Sequence, residues 1–127
     1  MNENNNLILS SLNKTWIIDL DGTIVKHNGY KIDGRDSFLP GAKEFLKNIS
    51  KEDMVIFVTS RTRLIEYETE LFLKENGIHY NSIIYNAPYG ERILINDKKP
   101  SGLDMAHSLN LDRDSSLNIN ILIDESL

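Results

Sequence analysis

Apolar residues along this chain fall into short runs divided by polar turns, and their spacing switches between two periods. Trp16-Ile17-Ile18, Met54 to Val58, Ser82 to Tyr85, Arg92 to Ile95 and Asn118 to Ile123 are rich in β-branched residues and predict strands. The first four are continuously apolar rather than alternating, which predicts strands covered on both faces of a parallel sheet. Between them the period lengthens. Pro40 suits a first helical turn, and Ala42, Phe45, Leu46 and Ile49 repeat at i, i+3, i+4 and i+7. A second helix is predicted from about Arg63 to Asn76, with Leu64, Ile65, Leu71 and Phe72 as its apolar stripe and Gly77 as the residue that ends it. Strands alternating with helices predict a right-handed, Rossmann-like α/β fold, a parallel sheet flanked by helices with its active loops at the strands' carboxyl ends. One segment breaks the alternation. Thr23 to Ile32, "TIVKHNGYKI", places β-branched residues around Asn28-Gly29 and predicts a small type I′ hairpin, a flap over the mouth of the site.

Composition narrows the possibilities. A length of 127 residues with no Pro/Gly/Ser-rich linker predicts one domain over residues 14–127, preceded by an Asn-rich, flexible arm over residues 1–13. The net charge of −5 argues against nucleic acid as a partner. Absence of cysteine excludes disulfides, thiolate metal sites and cysteine catalysis. No apolar run is long enough to span a membrane, and the N-terminus lacks a basic stretch, so a cytoplasmic protein without a membrane partner is expected.

The chemistry concentrates at strand ends. In "TWIIDLDGTIV" the first strand runs into Asp19 and Asp21, which point the same way because they are two residues apart. Paired carboxylates beside a buried strand are costly unless something compensates them, and Gly22 lets the backbone turn sharply toward a ligand. "MVIFVTSRT" ends its strand in Thr59, Ser60 and Arg61, whose hydroxyls and freed amides ahead of a helix suit an anion. "RILINDKKPSG" ends another in Asn96, Asp97, Lys98 and Lys99. Carboxylates, hydroxyls and a lysine at one sheet edge are what a phosphate bound through a hard cation requires. His27, His79 and His107 show no metal-ligand spacing, and Glu66, Glu68 and Glu70 read as a solvated helix face.

"DLDGT", then "TSR", then "ND", each after an apolar strand, resembles the haloacid dehalogenase (HAD) superfamily of phosphohydrolases over roughly Thr15 to Leu111. The resemblance implies a HAD-like catalytic domain in which Asp19 attacks phosphorus to form a phosphoaspartate, and Asp21 is the general acid and base. It implies Mg2+ held by Asp19, the Asp21 backbone carbonyl and Asn96-Asp97, with Thr59 and Ser60 gripping the phosphoryl oxygens. Two departures stand out. Asn96 occupies a usually acidic or glycine position, and no lysine precedes the acidic motif, so Lys98 is the preferred substitute, ahead of Arg61 and Arg92. The gaps between motifs hold no cap domain. Capless relatives act on large substrates or borrow a neighbouring subunit, here a homo-oligomer, as a lid. Small ones in surface-polysaccharide pathways suggest a phosphorylated small molecule, such as a sugar phosphate, as substrate. A nucleic-acid end or phosphoprotein as substrate, and a non-catalytic scaffold, stay open as alternatives.

Overall fold

The computed structural model describes residues 5–127, which divide into two compact units. The larger comprises Asn13–Pro88 and Leu111–Asn118. The smaller comprises residues 5–12, Tyr89–Asn110 and Ile119–Leu127. Both contain parallel strands, and the fold is mixed α/β. Among the described residues no helix is long and apolar enough to cross a membrane.

In the larger unit, β2 (Thr15–Asp19), β3 (Met54–Val58) and β4 (Ser82–Ile84) form a parallel sheet in that order. Parallel neighbours need long crossovers, and helices supply them. α2 (Ala42–Asn48) lies between β2 and β3, and α3 (Glu66–Glu75) between β3 and β4. The register pairs Asp19 with Val58 and Val58 with Ile84, so the three strands end in one row. Val55 and Phe57, two apart and so on one face of β3, are buried, as are Leu20, Ile24, Ala42 and Leu73. Burial is one-sided, however. Ile17 and Ile84 are about half exposed, where continuous apolar runs predicted cover on both faces.

Three local readings change. Asn28 adopts a left-handed conformation (φ 57°), but Gly29 does not, and a type I′ turn requires both. Gly29–Ile32 therefore forms one helical turn, α1. Ile24 and Lys26 bond instead with Leu39 and Ser37, so the flap hairpin is absent. The second predicted helix opens as a 3-10 turn, Arg63–Ile65, before α3 begins. Its tighter winding rotates the stripe, so Thr69 and Leu73 are buried while Leu64 and Leu71 are exposed. Gly77 ends this helix as expected, with φ of 69° and with the Ile78 amide bonding the Leu73 carbonyl.

Leu111–Asn118 is tied into the larger unit by backbone bonds from Leu117 to Pro40 (2.8 Å) and from Asp114 to Gly22 (2.9 Å). In the smaller unit, β1 (Asn5–Leu9) pairs in parallel with β5 (Ile119–Ile123). Residues 5–9, expected within the flexible arm, thus form a strand, while the first four residues of that arm lie outside the described ones. The predicted strand Arg92 to Ile95 is not formed. A strand requires a ladder partner, and none pairs with it among the described residues; Ile93 and Ile95 are instead 82% and 90% exposed.

Candidate functional site

β2 delivers Asp19 at its last position, and the chain then folds back on itself. The Ile24 and Val25 amides both bond the Leu20 carbonyl, and the Gly22 amide bonds the Val25 carbonyl at 2.7 Å. Gly22 has φ of 84°, a conformation glycine adopts at no steric cost, and a Cβ there would lie 3.1 Å from the Arg113 side chain. The same turn returns the Thr23 hydroxyl to Asp19, donating to Oδ2 at 3.0 Å.

Asp21 meets the end of β3. The fully buried Thr59 donates its hydroxyl to Asp21 Oδ2 at 2.9 Å and accepts the Arg61 backbone amide at 3.1 Å. Arg61 then folds its side chain back onto the same carboxylate. Its Nε donates to both Asp21 oxygens, and Nη2 donates to Asp21 Oδ1 at 2.8 Å. The adjoining edge of the guanidinium grips Asp36, with Nη2 to Oδ1 at 2.7 Å and Nη1 to Oδ2 at 2.9 Å. Nη1 also donates to the buried Thr69 hydroxyl at 3.0 Å, which itself donates to the Ile65 carbonyl. The Tyr30 ring covers the guanidinium at 4.3 Å.

Burial alone would lower the Arg61 pKa, but the hydrogen bonds and charges of Asp36 and Asp21 outweigh it, and the pKa is raised. Arg61 is a permanent cation. The Nε proton is shared over Asp21 and each terminal nitrogen serves two acceptors, so all five donors of an arginine are engaged.

The sequence-predicted residues therefore divide. Asp19, Asp21, Thr59 and Ser60 gather at the row of strand ends in the larger unit. Ser60 makes no side-chain hydrogen bond among the described residues. Asn96, Asp97 and Lys98 belong to the smaller unit. There the Asn96 amide bonds Asp97, and Lys98 pairs with Asp104 at 3.2 Å on an exposed surface. Among the described residues no three acidic or histidine side chains gather as a metal-binding group.

Sequence reasoning missed Asp36, Tyr30 and Thr69. Asp36 sits in "DGRDSF", which reads as a polar turn, and nothing local signals that it is buried against an arginine 25 positions later. Arg61 did carry a signal, as a cation beside the predicted anion site, but its partners are carboxylates. Compared with known protein families, curated proteins and solved structures, the chain matches none.

Proposed function

We propose that this chain is a Mg2+-dependent phosphomonoesterase of the capless, HAD-like kind, working through a phosphoaspartate on Asp19. The observation that carries this reading is the convergence of Asp19, Asp21 and Thr59, from two adjacent parallel strands, onto one row of strand ends.

The donor set fits a hard cation. It consists of oxygens, and with the Asp21 carboxylate committed to Arg61 and Thr59, the Asp19 carboxylate and the Asp21 backbone carbonyl are the groups to hold it. Bound Mg2+ would neutralise charge on the phosphoryl oxygens.

Thr23, by holding Asp19 Oδ2, orients the nucleophile. A carboxylate oxygen of Asp19 forms a bond to phosphorus as the ester P–O bond breaks; Asp21 gives a proton to the departing oxygen from its protonated form, in which one of its oxygens has exchanged a contact with Arg61 or Thr59 for that proton. Asp21 then takes a proton from water as that water attacks phosphorus, which releases phosphate and regenerates the Asp19 carboxylate. Arg61 has no donor left for the phosphoryl group, so its role is to hold Asp21. The substrate is assigned to a small phosphorylated molecule such as a sugar phosphate.

Hydrolysis of an aryl phosphate with and without Mg2+ tests the reading. Wild type turns over only with the metal, and Asp19→Asn lowers kcat by more than about 10³-fold, the scale on which loss of a nucleophile is felt. Equal rates in the two proteins would sink the assignment.

A further inference from the structure

Within that phosphatase reading, we infer that Asp36 is a positioning residue that sets the orientation of Asp21 through the shared guanidinium of Arg61, with Tyr30 holding the guanidinium plane. The geometry is that of a rigid bar gripped at both ends. A guanidinium is planar, and its donors leave in fixed directions. Asp36 engages one edge through two bonds of 2.7 and 2.9 Å, and Asp21 engages the adjoining edge. Nη2 lies between them, 2.8 Å from Asp21 Oδ1 and 2.7 Å from Asp36 Oδ1. Fixing the Asp36 edge therefore fixes the direction from which the other edge meets Asp21. One carboxylate would suffice to neutralise Arg61; a second, whose side chain is only 6% exposed, adds geometry rather than charge balance. Tyr30 closes the remaining freedom, rotation out of the plane, from 4.3 Å.

Both outer partners come from one short stretch, Tyr30 to Asp36, which begins within α1 and has no other part in the chemistry. Its hold on Arg61 links that stretch to the group that moves the proton. Asp36 touches neither nucleophile nor phosphoryl group in this arrangement, so its removal should change how well Asp21 is aimed and leave substrate binding alone.

The test is steady-state hydrolysis of an aryl phosphate in Mg2+ by wild type, Asp19→Asn, Asp36→Asn and Tyr30→Leu, each assayed well below its own unfolding midpoint. Asp36→Asn replaces the acceptor facing Nη1 with an N–H donor and frees the bar. Expected is a fall in kcat of about 10- to 100-fold at unchanged KM, the scale of a misplacement of about 1 Å. Tyr30→Leu removes only the stacking and is expected to lower kcat by about threefold, which keeps the question answerable if Asp36→Asn folds poorly. A merely structural role would lower the unfolding midpoint while leaving kcat per folded molecule intact. Active wild type, inactive Asp19→Asn, and kcat within twofold of wild type in the folded variants would overturn this inference and spare the phosphatase reading. Wild type without metal-dependent turnover would overturn both.

Discussion

Arg61→Met isolates what the buried guanidinium contributes to stability. Methionine keeps the apolar stem and approximate length, so the main loss is the charge with its donors. The Arg61 side chain is 3% exposed, Asp36 6% and Asp21 18%, so the substitution strands two carboxylates facing one another with little water to screen them. Summing five charge-assisted bonds would exceed the whole stability of a typical domain, because the same groups are solvated in the unfolded chain. Breaking a buried pair by removing one partner costs about 3–5 kcal/mol, and that is the expected loss here. The chain supplies its own control in Lys26–Asp33, an ion pair at 3.0 Å whose side chains are each 41% exposed. Lys26→Ala should cost no more than about 1 kcal/mol. Urea unfolding followed by Trp16, the single tryptophan, reads the larger unit that holds both pairs. With m near 2 kcal/mol/M, Arg61→Met lowers the midpoint by about 2 M. A loss indistinguishable from that of Lys26→Ala would refute the reasoning that burial makes this cluster costly to break.

Two further predictions concern stability. Gly41 has φ of 81°, and a Cβ there would lie 2.7 Å from the Leu117 carbonyl oxygen, so Gly41→Ala should destabilise by more than about 1 kcal/mol in the same urea assay. Tyr85, 8% exposed, donates its hydroxyl to Glu70 at 3.0 Å, so Tyr85→Phe should cost about 1.5–3 kcal/mol at neutral pH, as for a hydrogen bond to a charged group. Burial first, and the Glu70 carboxylate second, raise the Tyr85 pKa on folding. Because folding favours the protonated phenol, this contribution is fully present below the unfolded phenol value of about 10 and is lost as pH rises above it. Wild type should therefore lose its advantage over Tyr85→Phe in alkaline solution, and ultraviolet titration should show a late-ionising tyrosine missing from the variant.

What was legible in the sequence has short-range causes. β3 was predicted at Met54 to Val58 and forms at those residues, because its apolar run and polar boundaries are local. The turn after Asp19 was predicted from Gly22, and the end of α3 from Gly77, because a left-handed backbone position favours glycine whatever surrounds it.

Tertiary structure decided everything that needed a distant partner. Arg92 to Ile95 has the composition of a strand, but composition cannot supply a ladder. Ile24 and Lys26 bond with Leu39 and Ser37 rather than closing a hairpin at Asn28-Gly29, because one conformation at Gly29 selects between two pairings of similar pattern. Arg61 could be read from its position as a ligand for phosphate. Only the fold, by burying Asp21 on one side of it and Asp36 on the other, turned it inward, since a buried cation must find its counter-charges wherever the chain has brought them.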